Sequence, residues 1–95
     1  MHKLHISIIG TDKIAYEGEA ESAFVPTKSG IIEILPNHVQ LVSALAPGEI
    51  ILKTSNDKNP EPEQARYGTR FKIEGGVLEV RAHSNVIILA DIVKE

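Results

Sequence analysis

The sequence predicts an all-β fold, a sandwich or flattened barrel of antiparallel strands. Three observations point there: apolar residues alternate with polar ones in short segments, turn residues recur at close spacing, and proline leaves no room for a long helix. Leu4, Ile6 and Ile8 alternate with His5 and Ser7, as a half-buried strand should. Gly10-Thr11-Asp12 reads as a turn. The next strand keeps Glu17, Glu19 and Glu21 on one parity and Tyr16, Gly18 and Ala20 on the other, then runs through Ala23-Phe24-Val25 to Pro26. Pro26, Pro36 and Pro47-Gly48 exclude a long helix between residues 26 and 48. Glu49 to Lys53 forms a further strand, and Thr54 to Gln64, with Pro60 and Pro62, reads as a loop. From Arg66 to Ile73, Arg66, Arg70 and Lys72 share one face while Tyr67, Thr69, Phe71 and Ile73 share the other. Gly75-Gly76 is expected to make a two-residue hairpin turn, both residues reaching positive φ at low cost. Val77 to Arg81 is its partner strand, and Val86 to Ala90 is the last strand, after a His83-Ser84-Asn85 turn.

At 95 residues the chain makes one domain with a modest core; a domain of this size buries somewhat over ~60% of the surface its unfolded chain exposes. No apolar run approaches the ~20 residues needed to cross a bilayer. Met1-His2-Lys3-Leu4-His5 does not open a signal peptide, so the protein is expected to start near residue 1 and to be soluble, without direct membrane insertion. The absence of cysteine excludes disulfides, thiol nucleophiles and Cys-ligated metals. A net charge of −3, with two Tyr, two Phe and no Trp, argues against nucleic acid, which needs a positive field and stacking platforms.

Catalytic and metal constellations are not evident. His2 and His5, three apart on a strand, point to opposite faces, His38 and His83 fall in or near turns, and no carboxylate spacing completes a metal motif. Glu17, Glu19 and Glu21 read as a solvated strand face, and Arg66, Arg70 and Lys72 as another or as cross-strand charge partners. No local Ser-His-Asp signature or phosphate loop appears, so neither an enzyme, a cofactor nor a small-molecule substrate is expected. One feature does not suit an isolated sandwich. Ile31 to Leu35, Val39 to Leu45 and Val86 to Ala90 place apolar residues on both faces, so either these strands lie at crowded corners or a partner covers them.

Ala15 to Ser22 with Val25-Pro26, Gly30 to His38, Leu41 to Leu45, Pro47-Gly48, Glu74 to Val80 and Val86 to Asp91 resemble, in order, the β-sandwich domain of the bacterial F-type ATP synthase ε subunit. The resemblance covers nearly the whole chain and implies a ten-stranded sandwich over residues 1–91, followed by a short tail at 92–95 where the family continues into a helical hairpin. It implies a non-catalytic rotor subunit of the central stalk, peripheral on the cytoplasmic face of the membrane, that helps couple proton or sodium flow to ATP synthesis. The γ subunit is then expected at His38, Leu41, Val42 and Ser43, and the ring of c subunits at Ser29, Gly30, Ile31, Ile32 and Glu33. The family's loop usually carries an acidic residue and a glycine where this chain has Ile31 and Glu33, displacing the charge to the opposite strand face or another loop position. The Thr54–Gln64 stretch is longer than the family's usual turn. ATP binding and inhibition of hydrolysis reside in the family's C-terminal helices and are not expected of these residues. From a different class, a stand-alone carbohydrate-binding sandwich is the alternative, weakened by the lack of Trp; a small hydrolase has no supporting motif.

Overall fold

A computed structural model describes residues 3–54 and 69–94. His2, Arg66, Tyr67 and most of the expected 54–64 loop lie outside the described residues. The described chain forms eight strands: β1 (Leu4–Ile9), β2 (Ile14–Ala20), β3 (Ser22–Thr27), β4 (Gly30–Ile34), β5 (Leu41–Leu45), β6 (Gly48–Lys53), β7 (Thr69–Arg81) and β8 (Asn85–Lys94). One 3-10 turn, Ala82–Ser84, joins β7 to β8.

Alternation decides which side of each strand is buried. Leu4, Ile6 and Ile8 of β1 are inaccessible to solvent, as are Phe71 of β7 and Ile88 of β8, while His5, Lys72 and Leu89 point outward. The inward residues of all eight strands meet in one apolar core, with Tyr16, Ile32 and Leu41 packed at its margin. Tyr16 meets Phe71 edge to face at a centroid distance of 6.0 Å.

The ladders join all eight strands into one continuous sheet that folds over as two layers. One layer runs β2-β1-β8-β7-β5; the other joins β4 to β3 and β3 to β6, and the two are linked where β6 pairs with the first half of β7 and Thr27 of β3 with Leu45 of β5. Every pair is antiparallel except β1 with β8, which run parallel from His5↔Asn85 to Ile9↔Leu89. That exception departs from a purely antiparallel sheet, and it arises because β8 enters the sheet between β1 and β7 rather than beside its neighbours in sequence alone.

The expected hairpin at Gly75-Gly76 does not form. Both glycines lie inside one continuous strand, β7, so the described chain counts one strand fewer than a hairpin there would give. Residues Thr69 to Ile73 pair with β6, whereas Gly76 to Val80 pair with β5, so β7 passes from one layer to the other at this point. The register against β8 slips between Ile73 and Gly76. Glycine is required here because a Cβ on Gly76 would run into the Leu89 carbonyl oxygen and stand 2.7 Å from the Ala90 Cα, at a φ of +148°. The opposing corner falls at Ala46-Pro47, between β5 and β6, so the whole ribbon bends at one level.

Candidate docking surfaces

The residues expected to face a ring occupy the β3–β4 hairpin. Ser29 sits in its exposed turn, while Gly30, Ile31, Ile32 and Glu33 belong to β4, an edge strand rather than a loop. The turn is tied down from within. Thr27 Oγ1 donates to the Gly30 carbonyl at 2.6 Å and accepts the Ser29 N–H at 3.2 Å, and the Lys28 N–H donates to the Ala44 carbonyl at 3.0 Å. The exposed tip is therefore a fixed projection. Ile31 is 74% exposed and shares its outward parity with Glu33, while Ile32 and Ile34 turn inward. The displaced acidic charge thus stays on the face of Ile31, two residues from it along the strand, rather than moving to the opposite face. Thr27→Val, which keeps the shape and removes the hydroxyl, is expected to cost about 1 kcal/mol, read as a fall in melting temperature of roughly 4–8 °C. An unchanged midpoint would mean that the tip is held by its backbone alone.

The residues expected to face γ divide between a turn and β5. Pro36 and Asn37 form a turn, with the His38 N–H donating to the Leu35 carbonyl at 3.1 Å. The His38 imidazole is turned back on its own loop, Nδ1 lying 2.8 Å from the Val39 carbonyl oxygen. Within β5, Leu41 packs against the core and Ser43 is half-buried, so neither is freely presented. Val42 is, at 71% exposure, opposite Glu79 of β7, whose carboxylate is held by the Arg81 guanidinium at 3.1 Å. The two expected sites adjoin at Ser43, next to Ala44, whose carbonyl accepts the Lys28 N–H, and diverge from there. Leu45 reaches Thr27 at the base of the hairpin turn, whereas Leu41 lies opposite Val80 near the β7–β8 turn. Leu41 and the hairpin base therefore stand at opposite ends of β5, about 13 Å apart along the strand.

A third outward feature was only half legible beforehand. Ladder register aligns Ala44 with Val77, Val77 with Leu89, Leu89 with Ile9, and Ile9 with Ile14. The result is one apolar row crossing five strands on the outer face of the larger layer. Val77 is 44%, Leu89 51% and Ile14 59% exposed, with Ile87 and Val42 in the adjoining row. The two-sided apolar pattern of Val86 to Ala90 signalled it; Val77, Ile9 and Ile14 gave no such sign. A shallow hollow lined by Ile9, Gly10, Thr11, Gly76, Leu89, Ala90 and Asp91 continues the row at the bend of β7. Among the described residues, no group of three or more His, Asp or Glu could hold a metal, and no helix is long and apolar enough to cross a membrane.

What the described residues present outward is a braced hairpin tip, a valine on β5 and an apolar row. The chain belongs to the family described as the β-sandwich domain of the ATP synthase delta/epsilon chain, matched over residues 3–95. It is 38% identical over 93 residues to the ATP synthase epsilon chain of Leptospira borgpetersenii, covering 95% of this chain and 62% of the relative. It is 33% identical over 91 residues to that of Alkalilimnicola ehrlichii, covering 96% and 58%. The chain thus spans about three-fifths of the length of these relatives. The fold recurs in a cryo-EM structure of the Euglena gracilis mitochondrial ATP synthase, with a TM-score of 0.78 at 18% identity over 99% of this chain and 54% of that one. It recurs again in the central stalk and c-ring of the Tetrahymena thermophila enzyme, with a TM-score of 0.70 at 19% identity over 95% and 64%.

Proposed function

We propose that this sandwich works as part of a central-stalk rotor subunit of an F-type ATP synthase, bound to γ and resting on the c-ring. It acts by contact, helping to couple proton or sodium flow to ATP synthesis, and performs no chemistry of its own. The observation that carries the reading is the excess of outward apolar surface on a chain of this family: Val42 and the Ala44–Val77–Leu89–Ile9–Ile14 row need a cover. On this reading the domain lies at the cytoplasmic face of the membrane without entering it. The carbohydrate-binding alternative gains no support. Among the described residues Phe71 is fully buried, Tyr16 is packed against it and Phe24 is half-buried, so no aromatic platform faces solvent.

Co-purification of residues 1–95 with γ and the c-ring is the direct test, and absence of both partners from the recovered material would refute the reading. The ring contact is tested separately. Cysteines at positions 31 and 33 should cross-link to the polar loops of the c subunits, because both side chains point outward from the braced hairpin. Charges at such a rim orient more than they bind. Products from a control at position 17, on the opposite edge strand β2, with none from 31 or 33, would turn the hairpin away from the ring.

A further inference from the structure

Among the described residues, three non-glycine residues adopt positive φ: Asn37 (67°), His83 (63°) and Ser84 (60°). Such conformations are uncommon for residues with a side chain, and they persist only where the surroundings over-determine them. Here a single bond links two of the three. The Asn37 N–H donates to Ser84 Oγ at 2.9 Å, across 47 residues of sequence. Ser84 is a buried polar residue in the turn between β7 and β8, a turn closed on its other side by Asn85 Nδ2 donating to the Ala82 carbonyl at 3.1 Å. The chain leaving Asn37 is the segment that shows His38 and then Val39, 72% exposed, before entering β5 at Leu41.

We infer that Ser84 is the positioning residue for the docking loop: its hydroxyl holds Asn37 so that His38 and Val39, leading into β5, meet the γ subunit in one arrangement. This rests on the γ-docking reading above. The bond joins two turns at the points where each holds a residue in the left-handed region. The loop has few other ties to the sheet. Its remaining described bonds, from the His38 N–H to Leu35 and from the His38 ring to Val39, are within the loop itself. Ser84 makes no claim to touch γ; it acts through the backbone of residues 36–40.

The test compares γ binding and the Asn37 amide signal in the 95-residue chain carrying Ser84→Gly, Ile88→Val or Val42→Asp. Glycine accepts the backbone at Ser84 and removes the whole hydroxymethyl group; Ser84→Ala, which removes the hydroxyl alone, must show the same loss, and repeats the measurement if the glycine variant does not fold. Ile88→Val, a trimmed core residue, sets the effect of a general loss of stability. Ser84→Gly should weaken γ binding by about tenfold, the value of one lost hydrogen bond, and expose the Asn37 amide to faster hydrogen exchange. Ile88→Val should leave both unchanged. Parent affinity for Ser84→Gly beside weakened Val42→Asp would overturn the inference and leave the docking reading standing. Equal weakening by Ile88→Val would overturn it too, since stability alone would then explain the loss. Parent affinity for all three would remove the docking reading and the inference with it.

Discussion

Replacing Gly76 with alanine is expected to cost the fold about 3 kcal/mol or more. Two separate penalties combine. The backbone φ of +148° disfavours any residue with a Cβ, and the added methyl would collide with the backbone of Leu89 and Ala90 rather than with the end of a flexible side chain. Backbone in the middle of a paired ladder has nowhere to move without breaking the Gly76↔Ala90 and Val77↔Leu89 pairs. For a domain of this size the melting temperature should fall by more than about 12 °C. Gly30 provides the comparison. Its φ is +124°, but a Cβ there meets nothing within 4 Å, so Gly30→Ala carries the conformational penalty alone, about 1–2 kcal/mol. Thermal or urea unfolding of both variants checks the ordering. Equal losses would show that crowding at the bend of β7 contributes nothing, and that β7 crosses between layers with room to spare.

The second large effect is on binding. Val42→Asp should leave the fold intact, because the side chain stands outward at 71% exposure and lines no part of the core. It should nevertheless weaken association with γ by at least about 2 kcal/mol, roughly 30-fold, as loss of an apolar anchor at an interface centre does. The new carboxylate would also face Glu79, the cross-strand neighbour of Val42, adding like charge to a face that must be dried by its partner. Titration of γ with parent and variant, alongside circular dichroism to confirm the fold, decides it. Unchanged affinity would remove β5 from the interface and leave the Val77–Leu89 row as the surface that remains to be covered.

Much of this molecule is written in short-range pattern. Alternation alone placed Leu4, Ile6, Ile8, Phe71 and Ile73 inside and Glu17, Glu19 and Lys72 outside, because a pleated strand sends successive side chains to opposite faces wherever it lies. The apolar residues of both parities in Val39 to Leu45 and Val86 to Ala90 likewise marked strands that lie either at crowded corners or under a partner, and the fold leaves Val42 and Leu89 exposed among them. Gly75-Gly76 was different. Local chemistry makes two glycines a hairpin turn, and only the pairing of Thr69–Ile73 with β6 and Gly76–Val80 with β5 turns them into a bend within one strand. The apolar row was equally hidden. Residues 9, 14, 44, 77 and 89 become neighbours solely through ladder register between strands far apart in sequence. The same holds for the Asn37–Ser84 bond. The side of a strand that is buried is a property of adjacent residues and is legible one strand at a time. Which strands stand side by side is settled by closing long loops around a shared core, and no local period records it.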